Sequence, residues 1–177
     1  MKKIKIILTF IIFILSIFSH FIYDIFPSFI TSILFSVNES IWEHMKLIAT
    51  PILIISIFEY LYYKRKNIPN NNFLLSYGIS IILGIFIYLI IYLPIDRIIG
   101  HNIFIAIFLL FITFILIQYI SYYIMNYKSI KYNRYIGLLL VIVIYFIFYY
   151  FTYYPKEIDI FYDYTKDIYG IDKVNPN

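Results

Sequence analysis

The side chains in this sequence able to move a proton near neutral pH or to ligate a metal are few and grouped: His20 with Asp24, Glu39 with Glu43 and His44, and Asp96 with His101. Three imidazoles and several carboxylates suit zinc, or a harder ion such as manganese where carboxylates dominate. On that reading His20, Asp24, His44, Asp96 and His101 form the candidate metal shell. His20 and Asp24 are four residues apart and point to the same side if a helix persists to Pro27. A second assignment makes His44 or His101 a general base oriented by a neighbouring carboxylate, with Glu43 and His44 as the candidate catalytic pair. The chain carries no HExxH, no GxSxG and no Gly-rich phosphate loop. It has no cysteine, which excludes disulfides, thiolate nucleophiles and iron–sulfur ligation.

The elements that must position these groups are apolar helices. Of 177 residues 63% are hydrophobic and only 14% charged, against about 25% in an average soluble domain. Five stretches approach the roughly 20 apolar residues that cross a bilayer: about Ile4–Ile22, Lys46 or Pro51 to Tyr63, Phe73–Leu93, His101–Tyr127 and Tyr135–Tyr154. Pro94 and Pro155, as helix breakers, are expected to end the third and fifth. The expected fold is therefore all-α: a polytopic membrane protein with a five-helix transmembrane domain over 1–154 and a short polar tail over 155–177. Lys2, Lys3 and Lys5 ahead of an apolar run also resemble a signal peptide, but Ile17 and Phe13 stand where a cleavage site needs small residues, so an uncleaved helix is expected.

Charge sets the orientation. The N-terminus, the joint at Lys64, Arg65 and Lys66, and the joint at Lys128, Lys131 and Arg134 hold most of the basic residues and no acidic ones, which places them in the cytoplasm. His20 to Lys46, Pro94 to Asn102 and the tail with Glu157, Asp159, Asp163, Asp167 and Asp172 then lie outside, and Glu59 alone among the acidic residues does not. A pI near 9.0 is explained by these helix-end clusters, so no nucleic-acid partner is expected; the lipid bilayer is.

Within 36–46, Ser36 and Glu39 have the S-x-x-E spacing of a capping box, Trp42 suits the headgroup layer, and Glu43 with Lys46 is an i,i+3 pair. Such a segment lies in the interface or caps the bundle, with Pro51 marking the bend into the second span. Inside the membrane, Glu59 has the reach to pair with Gln118 and, as the favoured alternative, to snorkel toward Lys64 and Arg65. Ser76, Ser80 and Gly84 repeat every four residues, a spacing that lets helices approach closely.

The run Ser-Val-Asn-Glu-Ser-Ile-Trp-Glu-His-Met-Lys at 36–46, the upstream His20 and Asp24, and the stretch from Tyr162-Asp163 to Tyr169-Gly170-Ile171 resemble an uncharacterised family of small bacterial multi-pass membrane proteins, a domain of unknown function with an Asn-Glu-Ser-x-Trp-Glu-His motif. The likeness covers most of the chain and brings no activity or site residues with it. Two function classes follow from the residues. One is a membrane-embedded hydrolase or transferase acting at the outer leaflet on a lipid or peptide. The other is a non-catalytic partner subunit or small permeation protein in which the same groups hold the outer loops together. A transporter would call for a broken helix or mid-membrane charges.

Overall fold

The computed structural model describes residues 2–171, and they are almost wholly helical. In chain order the helices are α1 Lys2–Ser19, α2 Ile22–Ile25, α3 Phe29–Leu34, α4 Ile41–His44, α5 Lys46–Arg65, α6 Phe73–Ile99, α7 Ile103–Asn126 and α8 Asn133–Tyr153. A 3-10 turn at Asp159–Phe161 leads into a two-stranded antiparallel ladder, β1 Tyr162–Asp163 with β2 Ile168–Tyr169. Four helical stretches are long and apolar enough to cross a membrane: Ile41–Arg65, Phe73–Ile99, Ile103–Asn126 and Asn133–Tyr153. The tail residue Asp172 lies outside the described residues.

Each long helix turns a different amount of itself inward. α1 buries Lys5, Thr9, Ile12, Ser16 and Ser19, a stripe at spacings of three and four, and leaves Ile6, Phe10 and Phe18 exposed. α6 is central and packs along both α7 and α8, while α1 packs on α5 and α7. The α6 and α8 backbones meet at Gly137, where an added Cβ would overlap the Leu74 carbonyl and the Leu75 nitrogen. Ser80 and Gly84 sit at the contacts with Ile117 of α7 and Ile48 of α5, as their spacing suggests.

α8 ends at Tyr153, just before Pro155, as expected, but Pro94 and Pro51 behave differently. Pro94 lies inside α6, which continues to Ile99 and stops at Gly100, where φ is +82°. A proline removes one backbone hydrogen bond, and here that loss falls in the last turns of the helix rather than ending it. Pro51 lies inside α5 in the same way; the break is at Met45, between α4 and α5. The capping box is also displaced. Ser40, not Ser36, caps α4 by accepting from the Glu43 N–H, and the reciprocal box is made by Ser28 and Thr31 at the start of α3. Ser36 is buried with its hydroxyl unpartnered among the described residues.

Two buried ion pairs tie the bundle. Toward the end holding the N-terminus, Lys5 Nζ donates to Glu59 Oε2 at 2.9 Å and to the Ser121 hydroxyl at 2.9 Å, and Tyr77 donates to the same Glu59 oxygen. Glu59 therefore pairs with α1 and neither snorkels toward Lys64 nor meets Gln118. A buried carboxylate gains more from a cation held within the bundle than from one in solvent, because the dielectric around the pair is low.

Candidate metal centre

The helix of α1 ends just before His20. The chain turns at His20 and Phe21 before α2 begins, and Asp24 is exposed and joins neither the cluster nor the cavity described below. The carboxylate that meets His20 is Glu39. Its Oε2 lies 3.3 Å from His20 Nε2 and 3.2 Å from His44 Nε2, and the two imidazole nitrogens are 3.3 Å apart. These three residues are the group with metal-ligating geometry among the described residues. They come from the end of α1, the loop before α4 and the last residue of α4.

Glu39 is positioned by the tail. Asp163 on β1 is fully buried, and its Oδ2 accepts the Glu39 backbone N–H at 2.9 Å. Its Oδ1 accepts from the Thr165 hydroxyl and the Thr165 and Lys166 N–H groups. Burial works against the charge of Asp163, but these hydrogen bonds outweigh it and hold the carboxyl below its usual range. Asn38 Nδ2 donates to the carbonyl of Gly170, just past β2, at 2.7 Å, so the tail hairpin grips the loop that carries Glu39 at two points. The hairpin thus acts beneath Glu39 instead of lending its own carboxylates to the cluster.

Glu43 and His44 are neighbours that face different surroundings. Glu43 is buried: Lys46 Nζ reaches its Oε2 at 2.6 Å, the Val37 N–H reaches the same oxygen at 3.1 Å, and the Thr152 hydroxyl donates to Oε1 at 2.7 Å. Lys46 also donates to the Ser32 carbonyl and to Thr152. Both oxygens of the expected catalytic carboxylate are thereby consumed in a lock joining α3, α4, α5 and α8. Trp42 packs against Phe148, Phe151 and Phe161, which anchors α4 to α8 and the tail.

His44 turns the other way, into a cavity of about 330 Å³ whose wall it shares with His20, His101, Tyr88 and Tyr92. His101 is the counterpart across that wall. Tyr92 donates to Asp96 Oδ1 at 2.9 Å and its hydroxyl is 3.0 Å from His101 Nδ1, with His101 and Asp96 3.6 Å apart. The structure therefore brings all three histidines to one cavity, two of them into the cluster with Glu39 and the third into a Tyr92–Asp96–His101 set. Glu39 was the member sequence spacing concealed, since its partners are 19 residues upstream and 5 downstream.

Hydrogen bonds from His20 and His44 hold the Glu39 carboxyl well below the usual carboxylate range. The hydrogen bond to Glu39 raises His20 above its ordinary value. His20 Nδ1 is buried and unpartnered among the described residues, so its ring is oriented by packing and by the contacts of Nε2 with Glu39 and His44.

An all-helical chain with four helices long enough to cross a membrane and a two-histidine, one-carboxylate cluster at one end defines a class by shape and not by activity. Residues 1–171 match the family of unknown function DUF6512, and the chain belongs to that family. No curated protein and no solved structure matches it.

Proposed function

We propose that this chain is a multi-pass membrane metalloprotein that holds zinc between His20, Glu39 and His44, and that it acts as a hydrolase or transferase at the extracytoplasmic face of the cell membrane. The observation that carries this reading is the donor triangle. For zinc–ligand bonds of about 2.0–2.1 Å a tetrahedral site needs ligand atoms about 3.3–3.4 Å apart, and the three edges here are 3.2, 3.3 and 3.3 Å. Three protein ligands leave a fourth position for water, the arrangement of catalytic rather than structural zinc. If His20, Glu39 and His44 held zinc, the ion would supply a bound water of pKa about 7 or a Lewis acid for a substrate oxygen. The Tyr92–Asp96–His101 set on the same cavity offers a nearby proton acceptor.

The topology that supports it has five crossings, α1 serving as the first, with the N-terminus in the cytoplasm and the tail outside. The basic joints at Lys64–Lys66 and Lys128–Arg134 then lie inside, and α1 carries its lysines at its inner end. The test is metal analysis of protein purified without chelator. About one zinc per chain is expected, lost in the His20→Ala/His44→Ala double variant; a metal-free native chain that does not take up added zinc would overturn the reading.

A second reading, a non-catalytic partner subunit, is favoured by one observation: Glu43 is committed to a buried lock and the tail to gripping a loop. In that case His20, Glu39 and His44 form a hydrogen-bonded clasp, and added zinc leaves thermal stability unchanged.

A further inference from the structure

The cavity beside the donor triangle has a shape and lining that select among substrates. Much of its wall is apolar, made by Leu47, Ala106, Ile107 and Leu110 among others. Ser16 on the wall spends its hydroxyl on the Leu47 carbonyl. The rim residues Ile17, Phe21 and Ile103 are 42%, 53% and 60% exposed, continuous with the apolar outer surface of α1 and α7. Its polar lining is Ser16, His20, His44, Tyr88, Tyr92 and His101, of which His20 and His44 belong to the triangle and Tyr92 meets His101.

A peptide entering this space would strand its backbone N–H and C=O groups against hydrocarbon, each at a cost of several kcal/mol. An acyl chain has no such groups. We propose, on the reading that His20, Glu39 and His44 hold a metal, that the cavity admits the acyl chain of a membrane lipid sideways between α1 and α7 and presents its headgroup linkage to the metal. The rim is then a lateral door in the outer leaflet, and the substrate class is a lipid rather than a peptide.

The test uses the full chain reconstituted in vesicles of phosphatidylglycerol containing a fraction of the same lipid with a diazirine on its acyl chain. After illumination, labelled residues are mapped by mass spectrometry and zinc is measured on the same sample. Leu47 is only 7% exposed and lines the cavity, so label there reports entry, whereas Phe104, 81% exposed, reports ordinary surface contact. The expected result is label on Leu47 that is mostly lost in Ala106→Trp, with zinc content unchanged. Leu110→Phe fills the same space more gently should Ala106→Trp not fold. Label confined to surface positions, or Leu47 label indifferent to both fillings, overturns lipid entry whatever the zinc content. Label on Leu47 in a chain that takes up no zinc supports lipid entry and overturns the metal reading instead.

Discussion

Two imidazole nitrogens and a carboxylate oxygen converging within 3.3 Å need something positive between them, either protons or a metal ion. The two occupants respond oppositely to pH. Without metal, the charged His20–Glu39 pair stabilises the fold below the ordinary imidazole pKa of 6.5 and above the ordinary carboxyl pKa of 4.5. That contribution is lost as pH rises through the raised value of His20, and lost again as pH falls through the depressed value of Glu39. With zinc, His20 must be neutral, so affinity climbs as pH rises through the same raised value. Titrating zinc binding and the melting temperature of metal-free protein from pH 5 to 8 should show the two curves running in opposite directions. Glu43 and His44 give a second contrast at this scale. Glu43→Gln leaves the buried Lys46 ammonium short of its counter-charge and should cost about 3 kcal/mol of stability, read by thermal unfolding in detergent. His44→Ala removes a ligand at a cavity wall and should abolish zinc binding while the fold survives. The sequence reading paired the two as candidate catalytic residues, because their shared motif says nothing of what each side chain packs against. Burial decided that, and burial at Glu43 depends on Thr152, more than a hundred residues away.

At the scale of elements, the loop before α4 is shaped from both sides, by the Ser40 cap and by the tail hairpin. Asp163 is a positioning residue: it touches the Glu39 backbone and not the metal-ligating atoms. Asp163→Ala should weaken zinc binding by roughly tenfold or more with the donor set intact. Asp163→Asn, which keeps one acceptor oxygen for the Glu39 N–H, should recover part of the loss; calorimetric zinc titration of both variants measures this. The helices themselves were legible as apolar runs, since hydrocarbon demands length and apolarity that few other constraints imitate. Their ends were less so. Pro94 reads as a stop and Pro51 as the bend into the second span, yet α6 and α5 run through them, because one missing hydrogen bond costs less than unwinding a packed helix. The Gly137 approach to α6 was not visible in any spacing within α8, for a single glycine acquires meaning only from the backbone opposite it.

For the whole molecule, the uneven burial of the helices fits a bundle in lipid: 61% of the most apolar window of the α4–α5 stretch is buried inside the protein, but only 17% of that of α8. Composition and charge sufficed to expect a helical membrane domain with its histidines at one end, whereas the meeting of His20 with Glu39 depends on chain turns that composition does not record. Five crossings with basic joints in the cytoplasm require that a reporter fused after Asn177 behave as extracytoplasmic; a cytoplasmic signal there would reverse the face assigned to the cavity. The distribution of the outer contacts has a consequence in time. Chains are synthesised from the N-terminus at about 5–20 residues per second, and both His20 and Glu39 emerge early. The lock needs Thr152 and the loop needs Asp163 and Gly170, all made more than a hundred residues later. The three donor side chains are therefore made long before the tail contacts that grip their loop, so on the metal reading proposed above the centre is complete only once α8 and the hairpin have followed.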